Sequence, residues 1–387
     1  MHIAWLGKKT PFCGNVTYGR EVTNALRDRG YQVSFLHFAQ NTANQNSPPD
    51  CQEVSLPFLY KSQIYTIPTF SAGKVLARSL RQLQPDLVHA SLTLSPLDFL
   101  LPEICQELKL PLVATFHPPF DAKLRNLTSG TQHLTYQLYA PFLANYDCTI
   151  VFSNLQRDLL VRLGLPKQKV AVIPNGVDVQ KYEPGRSQAK STLKNTLQAR
   201  RIFVYQGRIA IEKNVESLLK AWKLSAMGTD SKLILLGNGP LLPSLMAGYG
   251  PDAGIIWKGF VADERQRIEI LQSADAFILP SLVEGLSLSL LEAMACGLAC
   301  LATDAGADGE VLAGGAGVIL NTQRVADQLQ TLLPLFRDHP ELTEMLGKKA
   351  RQRVLERYTL SRNITQLEQL YAQVVQSSPQ PTAYTPI

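Results

Sequence analysis

Asp275-Ala-Phe-Ile-Leu-Pro-Ser-Leu-Val-Glu284-Gly-Leu-Ser287-Leu-Ser-Leu-Leu-Glu292-Ala-Met-Ala-Cys-Gly297 reads as a strand, a turn and a helix in immediate succession. The apolar run from Asp275 to Ser281 suits a buried strand, Glu284-Gly285 a turn, and Ser287 the N-cap of a helix that stops at Gly297. Leu288, Leu290, Leu291 and Met294 supply the apolar surface of that helix, so Glu292 must project from a face that the core leaves open. Glu284 falls just outside the helix N-terminus. The free backbone N–H groups of such a turn suit a phosphate ligand. Either carboxylate alone reads as an ordinary solvated side chain; the spacing of eight residues around one strand-to-helix turn gives the pair its interest.

Outward from this unit, the same alternation fills the chain. In the first half, strands are expected at His2–Leu6, Gln32–Phe38, Asp86–His89, Leu112–Phe116, Cys148–Phe152 and Lys169–Ile173, with the clearest helix pattern at Tyr18–Arg29, closed by Gly30. A polar, Lys-rich stretch, Gln180–Arg200, separates this half from a second series at Ile202–Gln206, Lys232–Gly237, Gly254–Gly259, Asp275–Leu279, Ala299–Thr303 and Gly317–Leu320. Helices are expected between them at Val215–Lys223, Glu264–Ser273 and Leu286–Cys296. Short apolar strands separated by helices predict parallel sheets covered on both faces. The expected fold is therefore α/β, two doubly wound Rossmann-like domains facing each other across a cleft. The first spans residues 1–174 and the second 175–359; a helix over 360–375 returns to the first, and 376–387 is a disordered tail.

Composition narrows the function classes. The chain has 387 residues, too many for one compact core. It has no apolar stretch of membrane-spanning length, and it enters directly into a strand at Met1-His-Ile-Ala-Trp-Leu-Gly7, which predicts an intracellular protein. Six cysteines lack zinc-type spacing and read as free thiols, so no metal is expected. Five of the six net positive charges fall within residues 1–170, which assigns any anionic partner to the first half. No basic run or aromatic nucleic-acid motif is present, so nucleic acid is not an expected partner.

In open α/β sheets, ligands bind beyond the carboxyl ends of strands. Gly207-Arg208-Ile-Ala-Ile-Glu212-Lys213-Asn214 follows one such strand and places two cations five residues apart, chemistry that fits a diphosphate; solvated surface cations are the plain alternative. Gly237-Asn-Gly239 follows another strand, but Leu242 stands where a dinucleotide fingerprint needs glycine, so the glycines permit either a tight turn or the close approach of a ligand. Gly14 lies between the first strand and its helix. His117 ends a strand before two prolines and is either a hydrogen-bonded structural residue or a substrate contact. Asn175-Gly176 closes the first half as hinge, ligand contact or both.

Pro174-Asn175-Gly176-Val177-Asp178, Gly207-Arg208, Glu212-Lys213-Asn214 and the pair Glu284 and Glu292 together resemble the retaining glycosyltransferases of family four, over nearly the whole chain and in that family's order. The resemblance implies the GT-B fold and transfer of a sugar from a nucleotide diphosphate donor with retention. It further implies that Arg208 and Lys213 bind the donor diphosphate, Glu292 the ribose hydroxyls, and Glu284 with the backbone of Gly285, Leu286 and Ser287 the donor sugar. His117 then contacts the sugar near the reacting carbon. The first loop departs from the family, offering only Gly14 where a Gly-Gly pair is usual.

Two stretches of the first half favour a lipid acceptor. One runs from the apolar and aromatic Val54–Phe70 into Ser71–Gln84, where Lys74, Arg78 and Arg81 recur at helical spacing opposite Val75, Leu76, Leu80 and Leu83. That pattern suits either a helix at an anionic membrane surface or a helix packed on the sheet. The other, Lys123–Tyr146, combines Lys123 and Arg125 with Tyr136, Tyr139, Phe142 and Tyr146. The segment Met1–Val22 also resembles the bacterial-type digalactosyldiacylglycerol synthases of photosynthetic membranes. That likeness implies UDP-galactose as donor, monogalactosyldiacylglycerol as acceptor, and a peripheral location on the cytoplasmic side of such a membrane. The competing classes are a soluble sucrose- or polysaccharide-forming transferase, a GT-B nucleotide-sugar epimerase and a non-catalytic nucleotide-sugar binding module.

Overall fold

A computed structural model describes residues 1–10, 13–39, 53–62, 64–120, 127–185, 187–250 and 253–377. Lys123, Arg125, Cys51 and residues 378–387 of the expected tail lie outside these described residues. The chain divides into two units, one of Met1–Pro118, Leu134–Pro174 and Ser361–Ile387, the other of Pro119–His133 and Asn175–Leu360.

In the first unit, strands β1 (His2–Gly7), β2 (Gln32–Phe38) and β3 (Glu53–Leu56) precede a small antiparallel ribbon of β4 (Phe58–Lys61) and β5 (Thr66–Pro68). Strands β6 (Leu87–Ser91), β7 (Leu112–Thr115), β8 (Cys148–Val151) and β9 (Val170–Val172) complete a seven-stranded sheet ordered β3-β2-β1-β6-β7-β8-β9. All of its pairings are parallel. Helices α1 (Gly14–Asp28), α2 (Ala72–Leu83), α3 (Leu97–Glu107), α4 (Leu127–Leu143) and α5 (Asn154–Arg162) connect them. Successive residues Ile3, Ala4, Trp5 and Leu6 are all buried, as a strand covered on both faces requires.

Helix α1 begins four residues before the expected start. Cys13 is extended at φ −163° and Gly14 is already the first helical residue. Glycine is tolerated there because first-turn N–H groups have no intrahelical acceptor to lose. In α2, Ala72, Leu76 and Leu80 are buried toward α3 and β3. Lys74, Arg78 and Arg81 are exposed. The apolar stripe of this helix is therefore committed to the unit's own core. Tyr136, Tyr139 and Tyr146 are core residues as well: Tyr136 donates to Pro118 O at 2.8 Å, Tyr139 to Asp98 Oδ2 at 3.0 Å and Tyr146 to Asp98 O at 2.7 Å. Their expected place on an acceptor surface is corrected, because each hydroxyl finds a buried partner and the ring goes inward with it.

In the second unit, strands β10 (Arg201–Gln206), β11 (Ser231–Leu236), β12 (Ile255–Gly259), β13 (Ala276–Leu279), β14 (Ala299–Thr303) and β15 (Val318–Leu320) form a parallel sheet ordered β12-β11-β10-β13-β14-β15. Helices α6 (Ser187–Thr196), α7 (Val215–Leu224), α8 (Leu242–Gly248), α9 (Glu264–Ser273), α10 (Leu288–Ala295), α11 (Asp308–Leu312), α12 (Val325–Asp338) and α13 (Pro340–Arg357) accompany it. The Lys-rich stretch between the two strand series contains a helix, α6, in contact with α9. A final helix, α14 (Leu360–Ser377), belongs to the first unit over nearly its whole length. There Tyr371 Oη lies 2.6 Å from His89 Nδ1, and Asn363 Nδ2 donates to Pro174 O at 2.6 Å.

Both sheets run outward in two directions from their first strand, the doubly wound arrangement. Order reverses between β1 and β6 in one and between β10 and β13 in the other, and a crevice opens beyond the strand ends at such a point.

Candidate active site

At the reversal in the second sheet, the loops leaving β10 and β13 carry most of the charged residues expected to act. The β10 loop is backed by the loop leaving β11, and the approach of these two depends on glycines. Gly237, at φ +146°, lies so close to the loop after β10 that a Cβ there would stand 1.8 Å from Gly207 O, and one on Gly239 would stand 2.3 Å from Ile209 O. The two loops are tied by Ile209 N–H donating to Asn238 O at 3.0 Å and Leu241 N–H to Ile209 O at 3.1 Å. At these glycines the structure shows a third use beside the tight turn and the ligand approach, backbone of one loop packed against backbone of the next. Gly207 is similarly hemmed in, since a Cβ would meet Tyr205 Oη at 2.7 Å.

On this platform each cation has a carboxylate. Arg208 Nε donates to Glu212 Oε1 at 3.1 Å, and its Nη2 reaches the same oxygen. Burial would raise the Glu212 pKa, but the Arg208 hydrogen bond and charge hold it below the usual range. Lys213 Nζ donates to Glu284 Oε1 at 2.5 Å, and Ser281 Oγ donates to that oxygen at 2.7 Å. The β13 loop is anchored by Leu282 N–H to Glu212 O at 2.8 Å and by Asn214 Nδ2 to Pro280 O at 3.2 Å. Residues from two strand ends thereby form one charged cluster, with Glu284 only 7% exposed.

Glu292 has a different partner. It lies on α10, whose N-cap is Ser287, with Ser287 Oγ accepting Leu290 N–H at 3.3 Å. Its neighbours Leu290, Leu291 and Met294 are wholly buried, each worth about 2 kcal/mol of apolar transfer. Glu292 Oε2 accepts from Gln206 Nε2 at 2.7 Å. Burial raises its pKa to about 7, only partly offset by the Gln206 amide, Arg267 and Tyr182. The two glutamates of the eight-residue spacing therefore serve separate clusters.

Three further polar groups surround this turn. Asp308 Oδ1 accepts Ser287 N–H at 2.9 Å; burial, with Glu284 adding its charge, pushes the Asp308 carboxyl well above the usual range. Asn175 Nδ2 donates to Leu286 O at 2.9 Å, so Asn175 steadies the backbone that follows Glu284. Ala307 N–H donates to Gly285 O at 2.8 Å. Neither Asp308 nor Gln206 stood out in the sequence. For Gln206 the signal was available: one amide closing an otherwise apolar strand, directly before Gly207.

The reversal in the first sheet holds a neutral chain instead. Asn15 Nδ2 donates to Leu92 O at 3.1 Å, which turns Asn15 Oδ1 toward Ser91, whose hydroxyl donates to it at 2.8 Å. Ser91 Oγ lies 2.8 Å from His117 Nε2 and, its proton already used, accepts from that nitrogen. His117 is thus held as the Nε2–H tautomer, with the Nδ1 lone pair left over. Burial first, and then the charge of Lys8, lower its pKa to about 3, so the ring is neutral at physiological pH. Tyr18 meets it edge-on at 5.0 Å and Phe152 lies at 5.3 Å. Gly14 opens α1 in this unit, and a Cβ there would meet nothing within 4 Å. Neither conformation nor crowding demands that glycine.

Two sequence families match consecutive parts of the chain: Glycosyltransferase Family 4 over residues 14–181 and Glycosyl transferases group 1 over residues 189–353. With its two Rossmann-like sheets, the chain belongs among the GT-B glycosyltransferases of this group 1 and family 4 type. It is similar to the alpha-monoglucosyldiacylglycerol synthase of Streptococcus pneumoniae, 27% identical over 75% of this chain and 67% of that protein. It is also similar to the UDP-Gal:alpha-D-GlcNAc-diphosphoundecaprenol alpha-1,3-galactosyltransferase of Escherichia coli, 24% identical over 62% of this chain and 64% of that protein. The Arabidopsis thaliana sulfoquinovosyl transferase SQD2 is 27% identical over 70% of this chain and 54% of its own length. The chain thus spans about half to two thirds of these relatives. Among solved structures, the sucrose-phosphate synthase of Thermosynechococcus elongatus matches 97% of this chain and 100% of its own with a TM-score of 0.78 at 21% identity. Anabaena HepE in complex with UDP-glucose matches 96% and 100% with a TM-score of 0.75 at 17% identity. At such identities these two establish the fold.

Proposed function

We propose that this protein moves a hexose from a UDP-sugar to a hydroxyl of a membrane glycolipid with retention of anomeric configuration, and specifically from UDP-galactose to monogalactosyldiacylglycerol. One observation carries the donor half: Arg208 and Lys213 stand on the loop leaving β10, at the reversal of strand order, each beside a carboxylate. A leaving diphosphate gains negative charge as the sugar bond breaks. Fixed cations at that position stabilise the transition state more than the ground state. The positive charge comes from these side chains, and we propose no metal cofactor. Glu292 takes the ribose hydroxyls, the backbone of Gly285–Ser287 the donor sugar, and His117, fixed as one tautomer, the sugar near the reacting carbon.

The lipid half draws support from relatives whose names specify a diacylglycerol or a diphosphoundecaprenol product or substrate. Among the described residues no helix is long and apolar enough to cross a membrane, and we propose a peripheral attachment on the cytoplasmic side. The test is incubation of the purified protein with labelled UDP-galactose and UDP-glucose against diacylglycerol glycolipids and soluble sugars. Label in digalactosyldiacylglycerol is the expected result. Label only in soluble acceptors overturns the lipid half; UDP release without a glycosylated acceptor points to an epimerase; donor binding without turnover leaves a binding module.

A further inference from the structure

Residues 54–85 contain four cations, Lys61, Lys74, Arg78 and Arg81, and no Asp or Glu. They run from the end of β3 through the β4–β5 ribbon into α2. Six of the twelve residues from Leu59 to Phe70 are large apolar or aromatic side chains left exposed: Leu59, Tyr60, Ile64, Tyr65, Ile67 and Phe70. Leu59 is 67% exposed, Ile64 57%, and Phe70 entirely. Single exposed apolar residues are ordinary, but a contiguous run of this kind marks a surface that something covers. Two tyrosines in it, Tyr60 and Tyr65, have ring centroids 5.6 Å apart and carry the polar tip that suits a water–lipid boundary.

Helix α2 supplies the charge. At about 100° per residue, Lys74, Arg78 and Arg81 fall within an arc of about 60°, opposite the buried stripe of Ala72, Leu76 and Leu80. Among the described residues none of these three cations has an ion-pair partner. Since the apolar stripe of α2 already faces α3 and β3, this helix has only its charged face to offer. The apolar surface belongs to the ribbon next to it.

We propose that the β4–β5 ribbon with Phe70 enters the headgroup boundary of an anionic lipid bilayer, while Lys74, Arg78 and Arg81 of α2 meet the lipid phosphates. Charge decides in favour of lipid over a second copy of the chain. A symmetric dimer through this surface would bring two acid-free cationic segments together, whereas an anionic bilayer complements them. Attachment is independent of the sugar chemistry, because it can be read with no donor or acceptor present.

The experiment is flotation of the full chain with phosphatidylcholine vesicles, with and without about 30 mol% phosphatidylglycerol, at low and high salt. K74A/R78A/R81A is expected to lose about a hundredfold in affinity for the anionic vesicles. L59S/F70S is expected to lose about tenfold or more, with the salt dependence kept. All five side chains are exposed, so both variants should melt with the wild type, and a matched melt ties the loss to the surface. Independently, the indole of F70W should shift its emission to the blue and be quenched by brominated acyl chains. An unquenched indole, or wild-type binding by both variants, overturns the proposal. So does a dimer in the ultracentrifuge that L59S/F70S abolishes while vesicle binding persists. Vesicle binding without any sugar transfer would overturn the proposed function and leave this attachment standing.

Discussion

The two sheets of this protein share one topology and differ in what their strand ends carry. In both, strand order reverses beside the first strand, and the residues expected to act follow the strands on either side of that reversal or next to it. In the second unit the cations among those residues are each paired with a carboxylate: Lys213 with Glu284, which Ser281 also reaches, and Arg208 with Glu212. In the first, the expected His117 is neutral and ends a hydrogen-bonded line that comes from Asn15 through Ser91, two residues that did not stand out in the sequence, walled by Tyr18 and Phe152. The doubly wound fold thus fixes where a ligand site can be, while the loop residues decide whether it meets phosphate charge or an uncharged group.

The contrast can be broken most directly at Lys213. In Lys213→Ala, turnover should fall about a thousandfold, as for loss of one charge-stabilising donor, and full activity with the labelled donor would remove the diphosphate assignment. Glu292→Gln tests whether the buried carboxyl is tuned. Because its folded pKa is raised to about 7, it favours the folded state below its unfolded value, and that contribution is lost as pH rises through about 7. Glu292→Gln should therefore gain stability relative to wild type by about 3 kcal/mol between acid and alkaline pH, seen in denaturant midpoints; a pH-independent difference would show that Glu292 titrates normally. Gly237→Ala addresses the platform alone: with a positive φ and backbone 1.8 Å from the new methyl, it should destabilise by about 2 kcal/mol or more in thermal melts. Ser91→Ala should be the mildest. Releasing the ring of His117 should lower kcat about tenfold with donor KM unchanged, and Ser91→Thr, which restores a hydroxyl, should recover most of it.

Much of the architecture was legible because the strands are short apolar runs ended by turn residues. Ser287 was readable as an N-cap from its place before Leu288 and Leu290, and the structure puts its Oγ on Leu290 N–H. Helix α6 was not readable, since Ser187–Thr196 is a run of Ser, Gln, Lys, Thr and Asn with only Ala189 and Leu193 apolar, too few to mark a helical face. The ribbon of β4 and β5 escaped for the opposite reason: it is apolar on positions that face solvent, which removes the alternation that marks a half-buried strand.

The sequence by itself determined the kinds of element, their order, the doubling of the fold and which loops follow strands, because each of these rests on local periodicity and turn chemistry. It also supplied the chemical types at those loops: two cations, two glutamates, one histidine. Only the tertiary structure decided the partnerships. Lys213 reaches Glu284 across 71 positions, Gln206 reaches Glu292 across 86, and Ser91 reaches His117 across 26. Parallel strands that are distant in the chain bring their ends together side by side, so the contacts that set charge, tautomer and pKa depend on strand order and register rather than on spacing along the chain.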